Sequence, residues 1–312
     1  MQTRVTRLAP SPTGALHLGN ARTFVASWLL ARQRGWKIVL RIEDLDGPRI
    51  KADAAQMAID DLQWLGIDWD SPPTVQSTRA AVYRAAIDRL VAGGHVYPCI
   101  CTRREIEAAS SAPHAEDGAS VYAGTCRNRF ASVAEAIATT GRPPALRFAM
   151  PDMRFEFRDE FAGVRTFDLQ RDLGDFVIAK PDGTAAYQLA VVVDDAEAGV
   201  TDVVRGDDLI DSVPRQVLLY QALGMEDRIP SYYHLPLVVG SDGRRLAKRH
   251  GDTRISAFRE TGVAAPRVLF WIGRSLGIEV PQEPTPADLL ARFDLARVPH
   301  GRIVYDENRP LK

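Results

Sequence analysis

The sequence has almost no net charge: 39 Lys and Arg against 40 Asp and Glu leave −1 at pH 7 with neutral histidines. That balance gives no overall nucleic-acid signature, so any contact with RNA has to come from local patches. No run of about 18 apolar residues occurs, and no membrane span is expected. The first residues pass straight into a strand pattern carrying Arg4 and Arg7. No signal peptide is evident there, and a cytoplasmic location is expected. Cysteine is scarce and odd in number, three residues in all, which argues against a disulfide framework. No G-x-G-x-x-G follows the first strand and no G-x-x-x-x-G-K-[ST] occurs, so neither a dinucleotide fingerprint nor a P-loop is supported. No internal repeat is visible.

What is present is ordinary globular composition, 46% hydrophobic and 25% charged. The length suffices for a catalytic domain with an inserted or appended piece. Val5 to Ala9 reads as a strand, broken by Pro10, Pro12 and Gly14. A helix follows from about Gly19 to Arg34, then a nearly all-apolar strand from Lys37 to Ile42, as burial on both faces requires. In this β-α-β unit the helix N-terminus, with its free N–H groups and dipole, is a natural phosphate seat. His17 sits just before it, inside Pro10-Ser11-Pro12-Thr13-Gly14-Ala15-Leu16-His17-Leu18-Gly19-Asn20. It can donate to a phosphate oxygen or simply cap the helix.

A second motif, Arg245-Leu246-Ala247-Lys248-Arg249, lies after a strand reading at Leu235 to Val239 and a Gly240-Ser241-Asp242-Gly243 turn. A cationic loop of this kind can close on a triphosphate and neutralise developing charge. Alone it would also read as a solvated basic turn. Two basic patches could meet RNA: Arg103-Arg104 with Arg127 and Arg129, and the stretch from Asp242 to Arg274, with eight Lys or Arg against three acids.

The paired motifs resemble the HIGH and KMSKS signatures of class I aminoacyl-tRNA synthetases. Their flanks narrow the likeness. Arg7-Leu8-Ala9-Pro10-Ser11-Pro12-Thr13-Gly14 with Arg41-Ile42-Glu43-Asp44 is similar to glutamyl-tRNA synthetases, and Val191-Val192-Val193-Asp194-Asp195 and Val203-Val204-Arg205-Gly206-Asp207-Asp208-Leu209 agree with it. Asn20 stands where HIGH ends in His, and Arg245 and Ala247 stand where Lys and Ser are usual. Lys248, matching the catalytic lysine, is present. The fold this implies is α/β: a class I synthetase Rossmann-like doubly wound parallel sheet with an inserted zinc-containing subdomain and a small C-terminal helical region. Expected limits are 1–94 and 186–240 for the two catalytic halves, 95–185 for the insertion and 241–312 for the KMSKS-like loop and helical region.

Cys99, Cys101 and Cys126 fall between Tyr97 and Arg127. Their clustering suggests a structural Zn²⁺, which takes four tetrahedral ligands, although three packed thiols would also satisfy the pattern. From chemistry alone the fourth ligand is open, with His114 ahead of Tyr122. The Cys-x-Cys…Tyr-x-x-x-Cys spacing is similar to the glutamyl-Q tRNA(Asp) synthetases, a resemblance that implies Cys99, Cys101, Tyr122 and Cys126. The chain length fits that group better than the discriminating glutamyl-tRNA synthetases, which carry a further anticodon-binding region.

The resemblance implies that the enzyme activates L-glutamate with ATP and Mg²⁺, without tRNA, and passes it to queuosine at the wobble position of tRNA(Asp). A monomer is expected. Glutamate ligands would be Arg7, Leu8, Ala9, Pro10, Ser11, Glu43, Tyr187 and Arg205. ATP would meet His17, Gly19, Asn20, Arg245 and Lys248, with His17 and Lys248 catalytic. The chemistry agrees: arginine forks suit carboxylates, and Glu43 suits an ammonium. Taken singly, Arg7, Glu43 and Arg205 would pass as strand-end ion pairs. The alternatives are a truncated glutamyl-tRNA synthetase charging a 3′ end and a non-catalytic tRNA-binding paralogue.

Overall fold

The computed structural model describes residues 3–11, 16–45, 53–109, 121–244, 246, 252–306 and 311. Strand β1 (Val5–Leu8), helix α1 (Leu18–Gln33) and strand β2 (Lys37–Ile42) form the expected β-α-β unit. β2 lies parallel to β1 with Val5 opposite Lys37 and Leu8 opposite Leu40. Helix α1 is buried around most of its circumference: Ala21, Val25, Leu29 and Leu30 are joined inside by Arg22 and Ser27. Helix α2 (Ala54–Trp64), the short strand β3 (Thr74–Val75), parallel to β2, and helix α3 (Ala80–Ala92) follow.

The next stretch changes character from parallel to antiparallel. Strands β4 (Val96–Cys99), β5 (Ala145–Phe148) and β8 (Phe176–Ala179) make one antiparallel sheet. Helices α4 (Arg103–Ala109) and α5 (Val133–Thr140) lie between its first two strands in sequence. Strands β6 (Arg154–Asp159) and β7 (Gly163–Asp168) form a separate hairpin. Phe157 of that hairpin meets Tyr232 edge-on, 6.5 Å between ring centroids.

Tyr187 to Val193, an apolar run whose sequence after the Pro181-Asp182-Gly183 turn reads as a strand, is instead the start of helix α6 (Tyr187–Glu197). Three consecutive valines favour a strand, but a short apolar run carries no period that separates a strand from a buried helix. Leu189 through Ala196 are all buried, so no polar face marks the helical period in the sequence. The helix also turns Asp194 inward, where it accepts from Gln76 Nε2 at 2.7 Å, Arg79 Nε at 2.7 Å and the Tyr83 hydroxyl.

Strand β9 (Asp202–Gly206), helix α7 (Ser212–Ala222) and strand β10 (Ser231–Leu235) follow, with β10 parallel to β9. The strand expected over Leu235 to Val239 is divided. Pro236 has no N–H for a ladder, and its carbonyl accepts from Arg22 Nη1 at 2.8 Å. Strand β11 is only Val238–Val239. After it, Gly243 at φ +73° closes the turn read from sequence, its N–H on Gly240 O at 3.0 Å. Helices α8 (Ile255–Glu260), α9 (Ala265–Ser275) and α10 (Pro286–Arg292) complete the helical region. The C-terminal tail, in which the sequence shows no element pattern, contains β12 (Ile303–Val304), parallel to β11. It closes over the same apolar cluster as α1, with Tyr305 set edge-on to Trp271.

Candidate active site

A cavity of about 490 Å³ opens at the carboxyl ends of β1, β2 and β9 and the N-terminus of α1, where open α/β folds receive ligands. Arg7, Ala9, Pro10, Ser11, His17, Gly19, Asn20, Glu43, Tyr187 and Arg205 all line it. Leu8 does not; it is fully buried behind the wall. Arg245 and Lys248, and His114 of the alternative zinc set, lie outside the described residues. Sequence reasoning missed Thr23, Phe24, Asp208, Leu209 and Val238, which also line the cavity. Asp208 and Leu209 stood inside a quoted motif from which only Arg205 was singled out.

Arg7 is held from behind. Its Nη1 donates to Val204 O at 3.3 Å, and its Nε is 3.5 Å from Asp195 Oδ2. Asp195 also binds Arg41, which reaches Glu43 Oε1 at 3.0 Å. Burial opposes the Arg41 charge, but Asp195, Glu43 and Asp194 more than offset it, so Arg41 stays protonated. The Ser11 hydroxyl donates to Glu43 Oε2 at 3.2 Å, tying the β1 exit to the β2 exit. Burial first, then the Glu43 charge, pushes the Tyr187 phenol up, so it remains a hydroxyl donor at neutral pH.

Arg205 is more tightly specified. Its Nε donates to His234 Nε2 at 2.9 Å and its Nη2 to Leu209 O at 3.2 Å. Its Nη1 is buried with no hydrogen-bond partner among the described residues. A buried guanidinium nitrogen without a partner is costly unless a ligand meets it. Gly206 leaves room beside it: a Cβ there would stand 2.8 Å from Asp208 Oδ1 and 2.9 Å from Leu237 Cδ2, so those two side-chain ends would have to shift.

At the helix end His17 takes the capping role of its two readings. It is the N-cap of α1, extended at φ −97° and ψ 164°, and its Nδ1 accepts the Asn20 N–H at 3.4 Å. With Nδ1 an acceptor, the imidazole proton sits on Nε2. A Cβ at residue 19 would lie 3.3 Å from the His17 ring, so Gly19 gives that ring its room. Leu18 N–H to Thr253 O at 2.8 Å and Ile255 N–H to Leu16 O at 2.7 Å bring the chain after the cationic motif to this helix start.

The second cluster lies in the antiparallel part. The sulfurs of Cys99, Cys101 and Cys126 lie within 4.8 Å of one another. The Tyr122 hydroxyl is 3.4 Å from Cys99 Sγ and 3.4 Å from Cys101 Sγ. Tetrahedral Zn–S bonds of about 2.3 Å would set thiolates roughly 3.8 Å apart, so the three thiols are compatible with a zinc site. Arg147 Nε donates to Cys99 Sγ at 3.2 Å, and its guanidinium stacks 3.9 Å over the Tyr122 ring.

Residues 4–285 match the family described as tRNA synthetases class I (E and Q), catalytic domain. The fold and site thus define a class I tRNA synthetase. A Glutamyl-Q tRNA(Asp) synthetase of Symbiobacterium thermophilum is 46% identical over 303 residues, 94% of this chain and 93% of that protein. Another, of Rhodopirellula baltica, is 46% identical over 98% of both chains. The crystal structure of a glutamate tRNA ligase from Elizabethkingia meningosepticum, in complex with its amino acid, is similar with a TM-score of 0.81 at 26% identity, over 98% of this chain and 68% of that one. The chain belongs to the glutamyl-Q tRNA(Asp) synthetase family.

Proposed function

We propose that the protein activates L-glutamate with ATP, without tRNA, and then transfers the glutamyl group to queuosine of tRNA(Asp). The observation that carries the glutamate assignment is the buried, partnerless Nη1 of Arg205, in a cavity shared with Arg7 and Glu43. Two arginines suit the two carboxylates of a dicarboxylic amino acid, and Glu43 suits its ammonium. Tyr187 and Ser11 offer hydroxyls. Ala9 and Pro10 shape the wall, and Leu8 acts only through packing.

Class I synthetases use ATP and Mg²⁺. The triphosphate would lie against the α1 N-terminus, beside His17, Gly19 and Asn20, with Lys248 and Arg245 supplying positive charge from the following loop. A carboxylate oxygen of glutamate's α-carboxyl attacks the α-phosphorus, the bond to the β-phosphate breaks, and pyrophosphate leaves. A queuosine hydroxyl then attacks the glutamyl carbonyl and AMP departs. No covalent enzyme intermediate is needed; positioning and charge neutralisation suffice.

The insertion would hold one structural Zn²⁺ on Cys99, Cys101, Cys126 and the Tyr122 oxygen, fixing loops that bury little apolar surface. At the level of the whole fold, β1 would join β9 to complete one doubly wound sheet. Thr201 N–H to Val5 O at 2.9 Å and Val5 N–H to Thr201 Oγ1 at 2.9 Å support that junction. Transfer is tested with two tRNA(Asp) preparations, one carrying queuosine and one carrying guanosine at the wobble position. Labelled glutamate is expected on the first alone. Attachment to a 3′ end of tRNA(Glu) instead would overturn the reading.

A further inference from the structure

Behind Arg205 stands a buried pair that the reaction scheme leaves unused. His234 on β10 is 1% exposed and Asp159, at the end of β6, is 1% exposed. Asp159 Oδ1 accepts the backbone N–H groups of Phe161 at 3.0 Å, Ala162 at 2.7 Å and His234 at 3.1 Å. Its Oδ2 lies 2.6 Å from His234 Nδ1. An ionised carboxylate only accepts, so Nδ1 carries the imidazole proton. His234 Nε2 therefore keeps its lone pair, and it is this atom that Arg205 Nε–H meets at 2.9 Å. Leu209 O takes one N–H of Nη2, and Nη1 is the guanidinium nitrogen left without any partner among the described residues.

We infer that Asp159 and His234 are positioning residues for the amino-acid site: Asp159 fixes the His234 tautomer, and His234 in turn orients the Arg205 guanidinium so that Nη1 meets a substrate carboxylate. The inference rests on reading Arg205 as a carboxylate anchor. Its chemistry needs a neutral imidazole, because an imidazolium would present a second N–H and a like charge to Arg205. Burial supplies that condition: it pushes His234 down to about 4, aided by Arg205 and opposed by Asp159, while the His234 contacts hold Asp159 below the ordinary carboxylate range. The arrangement has the logic of a carboxylate that selects one histidine tautomer for a third group. It also ties the β6–β7 hairpin to the site, since Glu160 N–H bonds Tyr232 O at 2.8 Å on the same strand as His234.

Asp159→Asn is the informative variant. Its Oδ1 can keep all three backbone N–H groups, while its Nδ2 donates to Nδ1 and drives the imidazole proton onto Nε2, against Arg205 Nε–H. In glutamate-dependent ATP–pyrophosphate exchange, the KM for glutamate should rise about ten- to a hundredfold, the scale of a misplaced binding group, with the KM for ATP unchanged. His234→Phe should do the same. His234→Gln, which offers Arg205 an acceptor oxygen, should recover most of the loss. The ¹⁵N histidine spectrum of the substrate-free protein gives a readout independent of catalysis: His234 should be a neutral Nδ1–H tautomer in the parent and Nε2–H in Asp159→Asn. A parent spectrum showing Nε2–H, or a switched tautomer with an unchanged glutamate KM, would overturn the inference while leaving the proposed function standing. A parent with the expected tautomer but no glutamate-dependent exchange would remove the reading of Arg205 as an anchor, and the inference with it.

Discussion

Arg205 concentrates the residue-scale argument, because three of its nitrogens have three different fates. Truncating one member of a buried charged contact costs about 2–5 kcal/mol. Arg205→Ala should therefore lower kcat/KM for glutamate by at least about thirtyfold, since 1.4 kcal/mol is tenfold, and leave the KM for ATP within about threefold. Equal losses for both substrates would mean a folding defect or a different role. Asp61, on α2, carries a second residue-scale prediction. It is fully buried, neither oxygen has a hydrogen-bond partner among the described residues, and Arg259 Nη2 is 3.6 Å away. Burial pushes its carboxyl up to about 6 despite Arg259. The folded state thus holds this proton more tightly than the unfolded chain, whose carboxyl titrates near 3.8. Above pH 6 the buried charge opposes folding, and the penalty is relieved as pH falls through 6 towards 4. From pH 7.5 down to pH 5 the parent should gain about 1 kcal/mol relative to Asp61→Asn. Chemical denaturation at the two pH values measures it; equal shifts in both proteins would contradict the assignment. At this scale the sequence was readable where charge must meet charge, as with Arg7, Glu43 and Arg205. Asp159 and His234 were not readable, since 75 residues separate them and only the fold puts their side chains in contact.

Among the elements, those with clear punctuation were read correctly from sequence and those without it were not. β2 is a nearly continuous apolar run with the limits expected, and α3, whose sequence Ala80 to Ala92 reads as a helix stopped by Gly93-Gly94, ends there. α6 failed because its apolar run is buried on all sides, so no polar face marks the helical period. β11 and β12 failed because two-residue strands pair across 65 positions of sequence and leave no local pattern. The cysteine cluster is the element-scale counterpart of the active site: its three sulfurs were legible as a group, while Tyr122 came only with the family resemblance. Elemental analysis should find one zinc per chain in the parent and none in Cys126→Ala. Tyr122→Phe should bind zinc more weakly by at least the roughly 10–100-fold that loss of an outer-shell partner costs. Unchanged affinity in Tyr122→Phe would assign its hydroxyl to hydrogen bonding with the thiols alone.

Across the whole molecule, the cavity joins segments far apart in the sequence: β1, β2 and α1 near its start, α6 and β9 well over a hundred residues later. Behind and along its wall, like charges are kept apart by opposite ones: Arg7 and Arg41 alternate with Glu43, Asp194 and Asp195. Only the complete fold holds such a set, which explains why Arg7, Glu43 and Arg205, taken singly, pass as ordinary strand-end ion pairs in the sequence. No helix among the described residues is long and apolar enough to cross a membrane. The central claim is that this site selects and adenylates glutamate by itself. Its most direct test is ATP–pyrophosphate exchange with no tRNA present, run with glutamate, aspartate and glutamine in parallel. The account predicts exchange with glutamate and little with the other two; exchange that stays silent with glutamate until tRNA(Glu) is added would contradict it.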